Sequence, residues 1–143
     1  MRQPNRRVML CVAGFFVLAA GTARAGERGD LGDFLGTWRG TSTCVNRKIA
    51  PACNDETVVY EVRGTEKPQT AVLKADKIVN GQRVPMGELE FVYSDKEGCW
   101  RSAWNTPRVH GVWCLVVEGS SMTGSLRAMP QNADIRKVQA VHE

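Results

Sequence analysis

The chain has 143 residues and a formal net charge of +4, with 19 lysines and arginines against 15 acidic residues. Four of these arginines, Arg2, Arg6, Arg7 and Arg24, lie in the first 25 residues, which contain no acidic residue. The 118 residues from 26 to 143 therefore keep 15 basic against 15 acidic side chains and are formally neutral. This balance removes the charge argument for a nucleic-acid or anionic-membrane partner. The remaining length fits one domain with one modest core.

The first 25 residues have the three parts of a secretory signal peptide. A basic start precedes an apolar run of 13 residues, Val8 to Ala20, and the small-x-small sequence Ala23-Arg24-Ala25 follows. The run is shorter than the ~20 residues of a membrane-spanning helix, so we expect cleavage after Ala25 and no transmembrane anchor afterwards. Asn5-Arg6-Arg7 leaves the twin-arginine export route open beside ordinary secretion. The sequence thus predicts a periplasmic or extracellular protein with a signal peptide at 1–25 and one domain at 26–143.

Residues 26–143 show the alternating patterns of β-strands, preceded by a short turn or a single helical turn at 30–35. The first strand runs from Gly36 to Cys44 and is followed by a proline-containing loop. The other predicted strands are 57–63, 70–79, 88–93, 99–104, 109–117, 122–128 and 134–141. Short strands joined by turns between neighbours describe an antiparallel meander, and closing a meander removes its exposed edges. The predicted fold class is therefore all-β, an eight-stranded antiparallel up-and-down barrel.

The fourth strand carries both a clear alternation and a clear interruption. Leu89, Phe91 and Tyr93 are expected to point inward, and the glutamates between and before them outward. Pro85 and Gly87 precede this pattern and indicate that the strand is bent or begins late.

Four cysteines remain after cleavage, in an exported context where disulfides persist, and they allow three pairings. The hairpin between the fifth and sixth strands favours one of them. If Trp104 and Val109 close a four-residue loop, Cys99 falls opposite Cys114, and the tryptophans of both strands share the other face. By elimination, the predicted disulfides are Cys99–Cys114 and Cys44–Cys53.

Gly36 and Trp38 form a Gly-x-Trp motif at the start of the first strand. This motif, together with the length and the strand count, resembles the lipocalins and their relatives in the calycin superfamily of small secreted barrels. The resemblance implies that Trp38 packs at the closed end of the barrel under an arginine from a late strand. Arg136 is the first candidate for that arginine and Arg127 the second. In size, the mature chain is nearer to avidins and to bacterial barrel inhibitors of proteases and lysozymes.

The barrel interior is the first candidate binding site. In the predicted register Trp100 faces Trp113, Trp104 lies on the same inward face, and Tyr60 and Phe91 point inward from other strands. Aromatic walls suit an apolar or ring-shaped ligand because they bury a large area with little loss of entropy. An eight-stranded barrel is only just wide enough for its own side chains, so a filled core is the alternative. We predict that these five side chains bind a small apolar or aromatic molecule.

The loop Asn105-Thr106-Pro107-Arg108 is the second candidate site. A proline-stiffened tip beside a disulfide is pre-organised for insertion into the cleft of a protein partner, although its composition is also that of an ordinary hairpin turn. The rival hypothesis is therefore a secreted barrel that inhibits or docks another protein, such as a protease or a lysozyme, through its outer loops.

The sequence has no strong catalytic or metal signature. His110 and His142 lack the cysteine or carboxylate spacing of a zinc site, and paired cysteines offer no thiolate nucleophile. We therefore expect a non-enzymatic protein without a metal or another cofactor. An unrecognised hydrolase is the third hypothesis, with Ser42, Ser102 and Tyr60 as its polar residues.

The N-terminus of the exported protein tests the predicted signal peptide. Because Ala23-Arg24-Ala25 has the pattern that signal peptidase cleaves, we expect the exported protein to begin at Gly26. Intact-mass spectrometry and N-terminal sequencing of the exported fraction measure this residue. An exported protein that retains its first 25 residues would contradict the prediction.

Overall fold

The computed structural model describes residues 29–143, so the predicted signal peptide at 1–25 lies outside the described residues. A four-residue helix, α1 (Leu31–Phe34), precedes eight strands. The strands are β1 (Gly36–Cys44), β2 (Glu56–Gly64), β3 (Thr70–Val79), β4 (Gln82–Ser94), β5 (Cys99–Asn105), β6 (His110–Glu118), β7 (Ser121–Met129) and β8 (Ala133–His142). All except β4 begin and end within one residue of their predicted bounds.

Each strand pairs antiparallel with its neighbours in sequence, and β1 pairs with β8, so the sheet closes on itself. The predicted eight-stranded up-and-down barrel is thereby confirmed. Because successive strands run in opposite directions, the loops after β1, β3, β5 and β7 lie at one end of the barrel, which we call the open end. Helix α1 and the remaining loops lie at the other, closed end.

Strand β4 differs from the sequence expectation. It begins at Gln82 rather than near residue 88. Gly87 and Pro85 pair with adjacent residues of β3, so Met86 between them is the extra residue of a β-bulge. A bulge accommodates a proline and a glycine that would interrupt a regular ladder. Pro85 and Gly87 therefore bend β4, and the strand already begins before them.

The β5–β6 hairpin pairs in a register that differs from the predicted one. Trp104 faces Gly111, two residues beyond the expected partner Val109. A glycine leaves room for the indole, since a Cβ atom at Gly111 would lie 3.1 Å from the Trp104 ring. The Thr106 amide donates to the Val109 carbonyl at 2.9 Å and closes the turn in this register. The predicted direct pairing of Trp104 with Val109 is wrong for these reasons.

A shift of two residues keeps every side chain on its own face of the sheet. Trp100 faces Leu115 instead of Trp113, yet Trp100, Trp113 and Leu115 all lie on the inward face. Cys99 and Cys114 are offset by the same two positions, with Cα atoms 5.5 Å apart, and they are bonded. The predicted disulfide is confirmed, although the register used to derive it is not.

The second predicted disulfide, Cys44–Cys53, is also present and closes the loop between β1 and β2. The two bonds together pair every cysteine of residues 29–143. Disulfides persist in oxidising compartments, so they indicate a non-cytoplasmic environment for the folded protein.

An aromatic core fills the closed end. Phe34 of α1 stacks on Trp100 with ring centroids 4.5 Å apart, and it meets Phe91 edge to face at 5.9 Å. Trp38 donates its indole N–H to the Phe34 carbonyl at 3.0 Å and packs edge to face against His142 at 4.8 Å. Helix α1 is therefore a plug that a hydrogen bond holds to β1 and that ring stacking holds to β5.

The side chain that covers Trp38 is different from the one the resemblance implies. His142 packs against the indole, whereas Arg136 lies opposite Cys44, six residues beyond Trp38 along β1. A strand rises about 3.3 Å per residue, so Arg136 lies roughly 20 Å from the level of Trp38. Arg127, the second candidate, forms a half-exposed ion pair near the open end.

The substitution Trp38→Ala tests the closed-end core. Trp38 is fully buried, so its loss should lower the free energy of unfolding by about 3–5 kcal/mol. Trp104→Ala, at a partly exposed position, is the control and should cost less because its ring is not enclosed. Urea denaturation of both variants measures the difference. A loss below about 1 kcal/mol for Trp38→Ala would mean that the closed end does not depend on this ring.

Candidate functional site

The open end of the barrel is hollow. A cavity of about 550 Å³ begins above the closed-end core and opens between the loops after β1 and β5 and the bulged part of β4. Small residues, among them Ala75 and Gly87, border the space that larger side chains would fill. Most of the larger side chains that line it are apolar, chiefly Leu73, Phe91, Trp104, Trp113, Leu115 and Leu126.

Two tryptophans form one wall of the cavity. Trp104 and Trp113 point inward from β5 and β6 and pack with Leu126 and Ile135. The β7–β8 register shifts after Leu126, so Ile135 is the extra residue of a second bulge. This bulge turns an additional apolar side chain into the barrel, and the wall is accordingly a continuous apolar surface.

The disulfide-closed loop after β1 folds over the rim of this wall. The amides of Val45 and Asn46 both donate to the carbonyl of the bulged Ile135, at 2.9 and 3.3 Å. Ile49 then packs on the apolar cluster around Ile135. Residues 49–54 line the cavity in one unbroken run, so the loop is part of the wall and not a free surface loop.

Arg136 holds the loop to the barrel. Its guanidinium has five N–H groups, and five acceptors surround them. These acceptors are the Ser42 hydroxyl at 2.8 Å, the Glu56 carboxylate at 3.1 Å, the sulfurs of Cys44 and Cys53 at 3.3 Å each, and the Asn54 carbonyl. The Glu56 carboxylate also lies 3.8 Å from the ammonium of Lys77. Every donor of Arg136 is therefore occupied, and its charge is matched.

Tyr60 lies beside this polar cluster on β2 and faces the cavity. Its side chain is almost fully buried and lines the cavity. Burial raises the pKa of Tyr60 to about 12, although a hydrogen bond with Ser42 and the positive charge of Arg136 act in the opposite direction. The phenol is therefore protonated at neutral pH and available as a hydrogen-bond donor.

The side chains predicted to bind a ligand divide between the two ends of the barrel. The cavity is lined by four of them, Tyr60, Phe91, Trp104 and Trp113. Trp100 is instead enclosed in the closed-end core, where it stacks on Phe34. An inward-facing pattern alone does not separate the two groups, because it does not reveal which end α1 fills.

The predicted partner loop forms part of the rim. Thr106 and Arg108 line the cavity, whereas Asn105 and Pro107 are exposed. The Asn105 side-chain oxygen lies 3.1 Å from Nδ1 of His110 on the outer side of the hairpin. The tip therefore has one face toward the cavity and another toward solvent.

The polar residues considered for a hydrolase do not all meet. Ser42 and Tyr60 are neighbours in the cavity, whereas Ser102 is buried opposite Trp113 and does not line the space. His142 lies in the closed end against Trp38. Among residues 29–143, no group of three or more His, Cys, Asp or Glu side chains is arranged to hold a metal ion.

The polar part of the cavity and the second bulge are not evident from the sequence. Glu56 and Ile135 belong to no local motif. The resemblance to calycins predicts that Arg136 covers Trp38, which is a different role from the one it has at the cavity. The available signal is the predicted Cys44–Cys53 bond, since a loop closed by a disulfide between two neighbouring strands must lie close to the barrel rim.

No protein-family model matches this sequence, and no curated protein matches it significantly. The similarity to calycins therefore consists of the closed eight-stranded barrel and the Gly-x-Trp motif at its first strand. None of the helices within residues 29–143 is long and apolar enough to cross a membrane.

The ionisation of Tyr60 tests its environment. Its pKa rises from 10.0 to about 12 on folding, so the neutral phenol stabilises the folded state fully below pH 10, and this contribution is lost as the pH rises toward 12. The difference in phenolate absorbance between the wild type and Tyr60→Phe should therefore develop near pH 12. Tyr60→Phe should also lose less stability than the wild type over that range. Ionisation of Tyr60 near pH 10 would contradict its burial.

Proposed function

We propose that this protein is an exported, non-enzymatic, lipocalin-like barrel that binds a small apolar or aromatic molecule in the cavity at its open end. The observation that carries the proposal is the cavity itself, which has a volume of about 550 Å³ and is bounded by the rings of Trp104 and Trp113. Small-molecule sites in proteins span roughly 300–1,000 Å³ and are mostly apolar. The size and the lining of this cavity suit such a ligand.

The distribution of large and small side chains favours a ligand site over a filled scaffold. Eight strands enclose a space that side chains are able to fill. Here Phe34 and Trp100 are gathered at the closed end, while Ala75 and Gly87 border the open half. A barrel that only displays outer loops does not require this space, so the protein-docking hypothesis leaves the cavity unexplained.

The positions of the reactive side chains favour binding over catalysis. A serine nucleophile needs an adjacent base. Ser42 lies in the cavity opposite Glu56. Its oxygen accepts a hydrogen bond from Arg136, which also holds the Glu56 carboxylate at 3.1 Å, and Tyr60 beside it has a raised pKa. His142 is in the closed end and His110 is exposed, so neither is a neighbour of Ser42.

Export is supported by two independent features. The two disulfides suit an oxidising compartment. The first 25 residues have the basic start, apolar run and cleavage pattern of a signal peptide.

Binding of N-phenyl-1-naphthylamine, a neutral aromatic dye whose emission rises in apolar sites, tests the proposed function. We expect a saturable rise in emission with the wild-type protein. Ala75→Phe adds a ring inside the cavity and should weaken binding at least about tenfold. Ala103→Phe adds the same ring at an exposed position of β5 and should leave binding unchanged.

Two results would contradict the proposal. The first is the absence of saturable binding by the wild type, which would make the loop at 105–108 the better candidate site. The second is equal binding by Ala75→Phe and Ala103→Phe, which would mean that the dye does not enter the barrel. Thermal denaturation of both variants confirms that each is folded before binding is compared.

A further inference from the structure

The lining of the cavity has an apolar part and a polar part. The apolar part contains Trp104 and Trp113, and the polar part, from β1, β2 and β8, contains Ser42, Tyr60 and Arg136. A ligand that is apolar throughout would leave any polar atom of this part that the protein itself does not pair without a partner, and buried polar groups without partners are costly. This division favours a ligand that combines an apolar body with a polar atom.

Arg136 is not the group that meets that polar atom. Its five N–H groups already donate to acceptors of the protein. The Glu56 carboxylate matches its charge at 3.1 Å. A ligand could bind the guanidinium only by replacing one of these contacts, so the donor that serves the ligand must come from elsewhere in the cluster.

The hydroxyls of Ser42 and Tyr60 supply this donor. Arginine can only donate, so the 2.8 Å contact from Arg136 occupies the Ser42 oxygen as an acceptor. The Tyr60 hydroxyl lies beside this Ser42 oxygen. The hydrogen bonds within residues 29–143 give the Tyr60 proton no acceptor, because the Ser42 oxygen and the Glu56 carboxylate both accept from Arg136. Since Tyr60 lines the cavity, this proton is available to a ligand.

We propose that the ligand carries a neutral hydrogen-bond acceptor, such as a ketone, aldehyde or ester carbonyl, which receives the Tyr60 hydroxyl proton while the apolar body lies along Trp104 and Trp113. This inference rests on the proposed function. Tyr60 pairs across the sheet with Trp38 of the closed-end core, and its ring reaches from there to the cluster around Ser42 and Arg136. The acceptor therefore lies at this cluster, and the apolar body lies against the tryptophans of β5 and β6.

A neutral acceptor suits this position better than a carboxylate. The charge of Arg136 is matched inside the cavity by Glu56 at 3.1 Å. Lys77, the second cation beside Glu56 at 3.8 Å, has a side chain that is 39% exposed and does not line the cavity. Arg108 is the lining cation that forms no ion pair with the other described residues, and it lies at the rim. An anion at Tyr60 would thus be buried without a free counter-charge, and such burial is strongly unfavourable.

Three naphthalenes of similar size test the proposal by displacing N-phenyl-1-naphthylamine: 2-acetylnaphthalene, 2-isopropenylnaphthalene and 2-naphthoate. The first two have the same shape, but the ketone has a carbonyl oxygen where the alkene has a methylene group, so only the ketone accepts a hydrogen bond. Tyr60→Phe should lower the affinity for the ketone about 3–10-fold, the value of one hydrogen bond, and leave the affinity for the alkene within about twofold. Tyr93→Phe removes the other tyrosine hydroxyl of the chain and should change neither affinity.

An infrared measurement keeps the test independent of variant folding. The carbonyl stretch of 2-acetylnaphthalene bound to the wild-type protein should lie at a lower wavenumber than in cyclohexane, because a donated hydrogen bond weakens the C=O bond. An unshifted stretch would overturn the proposal even if Tyr60→Phe failed to fold.

The outcomes separate the two proposals. If neither the dye nor any naphthalene binds, the proposed function fails. If the dye and the alkene bind but Tyr60→Phe changes the affinities for ketone and alkene equally, only the acceptor inference fails. If 2-naphthoate binds more tightly than the ketone and loses that affinity in Tyr60→Phe, the preference for a neutral acceptor is overturned.

Discussion

The stacking of Phe34 on Trp100 is the contact on which the rest of the barrel depends. It brings the four-residue helix α1 into the closed end, where the Trp38 indole N–H is satisfied by the Phe34 carbonyl. The rings of Phe34, Phe91, Trp38 and Trp100 are then packed together at the closed end, in line with the general preference for dense packing of cores. In the other half, Trp104 and Trp113 lie along one wall while small residues such as Ala75 and Gly87 border the opposite space. This half therefore keeps a cavity that an eight-stranded barrel is otherwise able to fill.

At the open end, Arg136 has the corresponding organising role. A single guanidinium connects β1, β2 and the disulfide-closed loop, and it does so with every one of its donors. The same loop is held a second time by the bulged Ile135, whose carbonyl accepts from Val45 and Asn46. The rim of the cavity is therefore fixed by charge-assisted and backbone hydrogen bonds, one of which also holds the Ser42 hydroxyl that lines the cavity.

Much of the architecture was determined by the sequence alone. Alternating patterns and turn residues define the strands because side chains on a strand face opposite sides in turn, and the observed bounds of all strands except β4 agree within one residue. The disulfide pairs were also predictable, since a two-residue error in the β5–β6 register leaves Cys99 and Cys114 on one face and within bonding distance. Inward positions such as Tyr60, Phe91, Trp104 and Trp113 follow from the same alternation.

Only the tertiary structure decided what each inward residue does. Trp100 and Trp104 lie on one face of one strand, yet the first is enclosed by α1 and the second borders the cavity. The role of Arg136 was not predictable from local patterns either. Its contacts come from β1, β2 and the loop between them, which are distant from Arg136 in the sequence and meet it only in the folded barrel. The bulges at Met86 and Ile135 bend their strands and shift the pairing register, and each bulge is defined only by how its strand pairs with the neighbouring one. Alternation along a strand is a local property and was readable from the sequence, whereas the division into a filled end and a hollow end arises from contacts between distant segments.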